Sequence, residues 1–411
     1  MRILFFCTDL LRYNATSKDY QLGGGWVVSI IQGLRQHCPD WTFGIGCEGN
    51  GYWGENIGGL FRYPIDVFTR RMNKLRRKIN PQKEAELMLP QIQKCVSDFK
   101  PDAIMIFGTE TAYGMITKYT NVPVVIHLQG FLTAYQNAML PPGISRTTLY
   151  WNVFPNIKRL FWQWYYFRIF DANARREACI LENCKHFFGR TEWDKAVMRQ
   201  YNLDASYTEC WEMLRNEFYQ NAGTWKPHKS QTIRLISTIS TPIYKGVDLI
   251  LKTAKLLKGR NTDFCWDVVG IDSATFWEKH LKIRATDVCV QFQGRIRKPE
   301  ELIQLLLSSD IYVHPSYIEN SPNSLCEAQM LGTPVIAVNA GGVSSLIQHK
   351  ETGLLVPAND PYMLADDIVR LKSENDFSKE LSHRESTLAL KRHSRDIILD
   401  TIIHELRRIS N

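Results

Sequence analysis

The sequence has no cysteines in Cys-x-x-Cys spacing, although it contains ten cysteines in 411 residues. Cys7, Cys47, Cys265 and Cys289 lie in apolar, strand-like runs. Disulfide frameworks and structural zinc sites need paired or regularly spaced cysteines. The pattern therefore predicts reduced thiols in a core and no zinc site.

Long hydrophobic runs are also missing, because no stretch reaches the roughly twenty apolar residues that a membrane-spanning helix needs. The first residues, MRILFFCTDL, contain a short apolar run without the small-residue cleavage site of an export signal. No short repeat and no low-complexity tract are present. We therefore expect a cytoplasmic globular protein of two domains whose first residues form a buried strand.

Positive charge is unevenly distributed along the chain, whose formal net charge is +8. The stretch Arg70–Lys78 is strongly basic, with arginine or lysine at most of its positions. Such a run is often only a solvated face. The functional alternatives are contact with anionic lipid or with nucleic acid.

Aromatic residues are concentrated in Leu149–Phe170, LYWNVFPNIKRLFWQWYYFRIF, where basic residues interrupt them. Aromatic stripes of this kind are usually core or domain-interface packing. Rings mixed with cations also suit the boundary of a membrane. No nucleic-acid fold signature accompanies them. We predict peripheral contact with an anionic membrane through Arg70–Lys78 and Leu149–Phe170, at the inner face of the cell membrane, and no nucleic-acid partner.

Short apolar strands alternate with helical patterns in both halves of the chain, which predicts an α/β protein with two doubly wound parallel sheets. The polar stretch Ala222–Thr232 is interpreted as a linker. We predict a first domain over residues 1–222, a second over 223–385, and a final helix in 386–411 that packs back on the first. Helices are predicted to begin near the following residues, among others: Trp26, Lys83, Ala172, Glu192 and Val247.

The stretch YIENSPNSLCEAQMLGTP, Tyr317–Pro334, follows a strand-like run and predicts a loop and then a helix. Ser321 is expected to cap that helix and Pro322 to occupy its first position. The free N–H groups at the helix start would form an anion site. These amides belong to Asn323, Ser324 and Leu325.

Glu319 and Glu327 lie on either side of this helix start. Carboxylates beside an anion repel it unless they bind another part of the same ligand. Sugar and ribose hydroxyl pairs are suitable, because carboxylates accept hydrogen bonds from them. The two features together suggest the hypothesis of a ligand that carries both phosphate and sugar, which the rest of the chain must support.

The run ENSPNSLCEAQMLGTPVIA, together with Gly341, Gly342 and TGLLVP, resembles retaining glycosyltransferases of family four, also known as glycosyl transferases group 1. The resemblance implies the GT-B fold, in which two facing Rossmann-like domains border an interdomain cleft. It also implies transfer of a sugar from a nucleotide-sugar, with UDP-sugar favoured, to a hydroxyl of a glycan or lipid-linked glycan. The resemblance extends to members that build bacterial surface polysaccharides, and it implies that no metal ion or other cofactor is needed.

The resemblance assigns donor contacts in the second domain. Glu319 would hold hydroxyls of the donor sugar, and Glu327 would accept from the ribose hydroxyls. The helix-start amides, those of Ser324 and Leu325 in particular, would contact the donor phosphates. Lys245, in TPIYKG, matches the lysine that neutralises the departing diphosphate, where a fixed cation contributes strongly. The alternative is a surface lysine that opens the next helix, but the following glycine favours the functional interpretation.

One position departs from the family pattern. Five residues before Lys245 the family usually carries an arginine that also contacts the diphosphate, whereas this chain has Ser240. Serine can bind a phosphate but brings no charge. Arg215 and Arg295 are the cations that we expect as substitutes.

In the first domain, three consecutive glycines precede the helix predicted to begin near Trp26. By pattern alone they could equally form a flexible loop before a helix, but the resemblance implies that Gly24 and Gly25 let the backbone approach a ligand. The resemblance gives His127 a contact with the donor sugar through its main chain. Glu110, at the end of another strand, is predicted to contact the acceptor.

Three other interpretations are compatible with the sequence. A sugar-nucleotide enzyme on the same scaffold, such as an epimerase, would act without an acceptor. A non-catalytic module would bind a glycan, but would have no need of a lysine that neutralises diphosphate. Nucleic-acid binding through the basic run would show a steep dependence on salt.

Overall fold

The computed structural model describes residues 1–7, 11–14, 19–22, 25–49, 51–67, 73 and 80–411. It divides into two compact units. The first contains Met1–Gln136, Val153–Met213 and Ser394–Asn411, and the second contains Asn137–Asn152 and Leu214–His393. These limits differ from the predicted ones chiefly because the second unit begins earlier and ends later in the chain.

The first unit is built on a sheet of eight strands among its described residues, in the order β10-β9-β8-β7-β1-β4-β6-β5. All neighbours pair in parallel except β5 and β6. A separate antiparallel pair is formed by β2 and β3. The strands are β1 Arg2–Phe6, β2 Leu11–Asn14, β3 Asp19–Leu22, β4 Thr42–Glu48, β5 Glu55–Ile57, β6 Leu60–Ile65, β7 Ala103–Phe107, β8 Val124–His127, β9 His186–Gly189 and β10 Ser206–Glu209.

Helices cover both faces of this sheet, as the apolar strands require. Along β1, Ile3 and Phe5 belong to one core cluster, whereas Leu4 and Phe6 belong to another on the opposite face. Among the described residues, the helices of the first unit are Trp26–His37, Lys83–Phe99, Leu132–Tyr135, Ile157–Asn183, Glu192–Tyr201 and Arg395–Ser410, with a 3₁₀ segment at Ala112–Lys118.

The last helix, Arg395–Ser410, packs within the first unit against the helix Trp26–His37. A Cβ built on Gly33 would lie 2.9 Å from the methyl groups of Leu399, so glycine allows the two helices to approach closely. The final segment predicted as residues 386–411 is therefore divided, because residues up to His393 belong to the second unit.

The second unit has a sheet of six parallel strands in the order β13-β12-β11-β14-β15-β16. Its strands are β11 Ile233–Thr238, β12 Phe264–Val269, β13 Val290–Gly294, β14 Ile311–His314, β15 Val335–Val338 and β16 Leu354–Val356. Its helices are Asn216–Gln220, Val247–Gly259, Thr275–Leu281, Pro299–Leu307, Asn323–Leu331, Pro361–Ser373 and Asn375–Arg392, with 3₁₀ segments at Thr286–Val288 and Gly341–Ser345. The helix Arg146–Val153 lies across the division between the units.

A buried hydrogen-bond chain joins three adjacent strands of this second sheet, β12, β11 and β14. The indole Nε1 of Trp266 donates to Oγ of Ser237 at 3.1 Å, and that hydroxyl donates to the carbonyl of Val313 at 2.7 Å. Satisfying these groups allows a polar serine to lie in the core at no large cost.

The stretch predicted as a linker, Ala222–Thr232, has no helix or strand but packs on the second unit. The amides of Gly223 and Trp225 donate to the carbonyls of Met330 and Leu331, at 2.9 and 3.1 Å. The indole of Trp225 donates to the carbonyl of Ser309 at 2.8 Å. These contacts place the stretch inside the second unit.

The second part of the aromatic segment forms the start of a long helix, Ile157–Asn183. Ala172 lies in its middle, so the prediction that a helix begins there was wrong. The helix begins where the side chain of Asn156 accepts from the amide of Arg159 at 3.0 Å, which is a standard helix cap. Among the described residues, none of the helices has the length and apolar character required to span a bilayer.

Candidate functional site

The predicted donor-site residues of the second unit lie where two adjacent strands end. Lys245 is in the loop that follows β11, and Glu319 is in the loop that follows β14. The strand order reverses between β11 and β14. Loops at the carboxyl ends of strands beside such a reversal form the usual ligand site of doubly wound sheets.

Lys245 and Glu319 form an ion pair between Nζ and Oε1, and both side chains are largely buried. Burial by itself disfavours the charged lysine, but the charge of Glu319 and the hydrogen bond outweigh it, so the pKa of Lys245 is raised. The structure therefore brings together the two residues that the resemblance assigned to the diphosphate and the donor sugar.

The loops that carry this ion pair are fixed by their backbones. The amide of Tyr317 donates to the carbonyl of Tyr244 at 2.8 Å, and the amide of Gly342 donates to the carbonyl of Glu319 at 2.8 Å. Gly246 has φ of 76°, and a Cβ there would lie 2.0 Å from the carbonyl oxygen of Pro315. Only glycine therefore fits directly after Lys245.

The helix Asn323–Leu331 begins differently from the prediction. Pro322, and not Ser321, is the N-cap residue, and the hydroxyl of Ser321 lies 3.6 Å from Sγ of Cys326. The amide of Leu325 is not free, because it donates to the carbonyl of Pro322 at 2.9 Å. That tight first turn uses the N–H group that was predicted to contact phosphate.

The amides of Asn323 and Ser324 form no backbone hydrogen bond within the described part of the chain. The hydroxyl of Ser324 accepts from Tyr312 at 2.9 Å, and the Tyr312 hydroxyl also lies 2.8 Å from Oγ1 of Thr238. These contacts connect the helix start to β14 and β11. Sequence patterns gave no signal for this role of Tyr312, which lies in an ordinary buried strand.

Glu327, within the same helix, is buried and paired with Arg215. Nε of Arg215 donates to Oε1 at 2.8 Å, and a terminal nitrogen donates to Oε2, also at 2.8 Å. Both glutamates of the predicted signature therefore have a cationic partner. Each of the two carboxylates near the predicted anion site at the helix start is therefore balanced by an adjacent positive charge.

Residues 226–387 match the family model described as "Glycosyl transferases group 1". The match includes Lys245 and Glu319, which form an ion pair with each other, and Glu327, which pairs with Arg215. This region is a glycosyl transferases group 1 domain.

The chain spans less than half the length of the first curated relatives that it matches. One is an amylovoran biosynthesis glycosyltransferase, AmsK, of Erwinia amylovora. It is 26% identical over 188 residues, which cover 39% of this chain and 45% of the relative.

Solved structures match over nearly the whole chain. Sucrose-phosphate synthase of Thermosynechococcus elongatus has a TM-score of 0.70 at 15% identity, over 99% of this chain and 98% of that one. HepE of Anabaena in complex with UDP-glucose has a TM-score of 0.64 at 16% identity, over 99% of this chain and 100% of that one. Two Rossmann-like parallel-sheet domains of GT-B type are thus confirmed as the fold.

Two further predicted contacts of the glycosyl transferases group 1 domain lie on exposed loops. Ser240 follows β11 and Arg295 follows β13, and both are exposed. Both residues therefore lie at the carboxyl ends of strands of the second sheet, as Lys245 does. Arg215, the other predicted substitute for the missing arginine, is instead bonded to Glu327. Arg295 therefore remains our predicted substitute.

The first unit contains the other predicted residues. His127 ends β8 with a fully buried ring, and its carbonyl accepts from the amide of Gly108 at 2.8 Å. Burial, with the nearby charge of Arg190, lowers the pKa of His127 to about 3. The imidazole is therefore neutral at physiological pH, and the contact of His127 with the donor sugar stays a prediction.

Gly25 is the N-cap residue of the helix Trp26–His37, with φ of 139°. The centres of the Trp26 and His127 rings are 4.7 Å apart. Because Trp26 directly follows Gly25, the first unit brings Gly25 and His127 close together. Gly24 lies outside the described residues, as does most of the basic run Arg70–Lys78.

A buried charged group in the first unit was not recognised from the sequence. Arg190 pairs with Glu212 at 3.1 Å and donates to the carbonyls of Leu128 and Gln129, at 2.8 and 2.9 Å. It thereby fixes the loop that follows His127. Arg190 directly follows the strand β9 in the sequence HFFGR, but a single arginine after a strand does not predict a buried ion pair.

Glu110 lies half-buried in the loop after β7. Burial, together with the charge of Glu177, raises the pKa of Glu110 to about 7. Glu177 is itself held by Thr109 and Thr133. A carboxyl group with this pKa can accept or donate a hydrogen bond at neutral pH, which suits the predicted contact with an acceptor hydroxyl.

Proposed function

We propose that this protein is a retaining glycosyltransferase of family four that transfers a sugar from a nucleotide-sugar, with UDP-sugar favoured. The acceptor would be a hydroxyl of a glycan or lipid-linked glycan in polysaccharide or lipopolysaccharide biosynthesis. The observation that carries the proposal is the Lys245–Glu319 pair at the strand reversal of the second sheet, inside the region that matches the family.

In this proposal the donor replaces existing interactions. Lys245 would move its charge from Glu319 toward the diphosphate, which leaves oxygens of Glu319 available to the hydroxyls of the donor sugar. The amides of Asn323 and Ser324 would bind the diphosphate at the helix start. Negative charge grows on the diphosphate as it departs, so a cation fixed there stabilises the transition state.

The names of similar proteins support the chemical class. The AmsK relative is named as a glycosyltransferase of amylovoran biosynthesis, and HepE was solved with UDP-glucose. We propose by analogy that the present chain also uses a uridine nucleotide. No step of the proposed reaction needs a metal ion.

The test is release of nucleotide from a panel of UDP-, GDP- and ADP-sugars. We expect slow release from one donor, and donor binding roughly 10- to 100-fold weaker in Glu327→Gln, because a hydrogen bond to a charged group is replaced by a neutral one. The exposed Glu351→Gln variant is the matched control. Absence of nucleotide binding by the wild-type chain would refute the proposal, and isomerised sugar without transfer would identify an epimerase.

We also propose that the enzyme contacts an anionic membrane surface through the start of the helix Ile157–Asn183. Phe161, Trp162, Trp164 and Tyr166 expose 46%, 45%, 41% and 49% of their surface. The first turn adds two exposed cations, Lys158 and Arg159. Aromatic rings beside basic residues suit the headgroup region of a bilayer.

Sedimentation with phosphatidylglycerol vesicles tests this contact. The Lys158→Gln/Arg159→Gln variant should bind roughly 30-fold less tightly, because each basic residue near an anionic surface contributes about 1 kcal/mol. Phosphatidylcholine vesicles and the exposed Lys391→Gln variant serve as controls. Equal binding of the double variant and the wild-type chain would contradict the membrane contact.

A further inference from the structure

The loops that carry Lys245 and Glu319 are joined a second time, by a side chain. The phenol of Tyr317, two residues before Glu319, donates to Oδ2 of Asp248 at 2.8 Å. Asp248 lies in the first turn of the helix that follows Lys245. Because the amide of Tyr317 also donates to the carbonyl of Tyr244, the tyrosine is attached to the chain on both sides of Lys245.

Two further side chains complete this cluster. Nζ of Lys252 donates to Oδ2 of Asp248 at 2.8 Å and to Oδ1 of Asn359 at 3.0 Å. Asn359 lies in the loop after β16, with φ of 59°. The cluster therefore connects the segments that follow β11, β14 and β16 of the second sheet.

The carboxylate of Asp248 is almost completely buried, with 1% of the residue exposed. Its Oδ2 accepts both hydrogen bonds, whereas its Oδ1 is buried and forms no hydrogen bond in the described part of the chain. Lys252 supplies the opposite charge that a buried carboxylate requires. The orientation of this carboxylate therefore depends on two donors, and Tyr317 is the donor that belongs to the loop of Glu319.

The hydroxyl of Tyr317 stays protonated and can donate at neutral pH, because burial and the charge of Asp248 raise its pKa. A hydrogen bond with one ionised partner is roughly twice as strong as one between neutral groups. The bond can therefore hold the loop of Glu319 in one position relative to Lys245.

We propose that Tyr317 and Asp248 are positioning residues that set the distance between the Lys245 ammonium and the Glu319 carboxylate in the donor site. Neither residue contacts the donor, and both act through the two loops. The inference rests on the proposed function, because it requires Lys245 to stabilise the departing diphosphate. A fixed cation is effective only where it already lies beside the developing charge, and a misplacement of about 1 Å can reduce a rate roughly 100-fold.

The experiment compares the wild-type chain with Tyr317→Phe in initial rates of nucleotide release, using the UDP-, GDP- or ADP-sugar that the wild-type chain accepts. Phenylalanine keeps the buried ring and removes only the hydroxyl. We expect kcat to fall about 10-fold with KM within about threefold of wild type, because the hydroxyl affects where Lys245 lies in the transition state. Tyr362, which is 72% exposed, provides the matched control Tyr362→Phe, with unchanged kcat.

The same substitution in the Lys245→Met background separates positioning from a structural role. If Tyr317 acts through Lys245, Tyr317→Phe should lower kcat by less than about twofold further in that background. Partial unfolding would instead lower kcat by the same factor in both backgrounds. An equal loss in the two backgrounds, or an unchanged kcat in Tyr317→Phe alone, would overturn the inference.

The variant Asp248→Asn, measured in the same two backgrounds, covers the case in which Tyr317→Phe does not fold. Asparagine keeps the shape of the side chain but removes the charge to which Tyr317 donates, so we expect a loss of about three- to tenfold in kcat. The double variant Tyr317→Phe/Asp248→Asn should lose no more than the larger single loss, because the two residues act as a unit. Losses that multiply would contradict the inference.

The two proposals can fail separately in this experiment. A wild-type chain that binds none of the nucleotide-sugars would refute the proposed function, and the inference with it. A large loss of kcat in Lys245→Met with none in Tyr317→Phe would leave the donor site in place and refute only the positioning role.

Discussion

Replacing Lys245 by methionine is expected to reduce nucleotide-sugar turnover by a factor of about 10² to 10³, the usual effect of removing one fixed group that stabilises developing charge. Methionine keeps much of the side-chain volume and removes the charge. The effect should appear mainly in kcat, because the negative charge on the diphosphate is greatest in the transition state. The measurement is initial rates with the donor that the wild-type chain uses.

Loss of stability must be separated from loss of catalysis in this variant. Removing Lys245 leaves the buried carboxylate of Glu319 without its partner, which costs about 3–5 kcal/mol in comparable pairs. The double variant Lys245→Met/Glu319→Gln removes both charges and should recover most of that stability without recovering turnover. Lys255, exposed on the following helix, gives the control Lys255→Met. Turnover within about threefold of wild type in Lys245→Met would contradict the proposed role.

The Gly341→Ala variant is expected to lose about 3 kcal/mol of unfolding free energy, and turnover should fall about 100-fold. Gly341 has φ of 58°, and a Cβ there would lie 2.0 Å from the carbonyl oxygen of Glu319. Alanine would therefore displace the backbone that carries the Glu319 side chain. Urea unfolding and donor turnover measure the two effects.

Gly143 provides a matched control for this substitution. It also has a positive φ, of 84°, but a Cβ there meets no atom within 4 Å. Gly143→Ala should therefore cost only the conformational penalty of about 1 kcal/mol and leave turnover unchanged. If both alanine variants behaved alike, the close approach of Gly341 to Glu319 would have no part in the site.

Local sequence signals located several elements to the residue. Helices were predicted to begin near Trp26, Lys83, Glu192 and Val247, and the structure begins helices at each of these positions. At Glu192 the cap is visible, because Oγ1 of Thr191 accepts from the amide of Asp194 at 3.0 Å. Capping residues and apolar periodicity act over a few neighbouring residues, so they can be recognised without the fold.

Signals failed at the start of the helix Asn323–Leu331, where several neighbouring residues could form the same hydrogen bonds. Ser321 has the side chain of a helix cap, but its hydroxyl lies near Cys326, and Pro322 occupies the cap position. The amide of Leu325 was expected to be free, yet it bonds to Pro322. Sequence propensity indicates which hydrogen bonds a residue is able to form, whereas the residues around it in the fold determine which of them it forms.

The sequence by itself determined the α/β class, the alternation that produces two parallel sheets, and the strand–loop–helix that carries Glu319 and Glu327. These features depend on residue spacing along the chain. Only the tertiary structure paired Lys245 with Glu319 and Arg215 with Glu327, across separations of 74 and 112 residues. Such contacts depend on which strands become neighbours in the sheet and on where the preceding chain packs, and no local pattern encodes either.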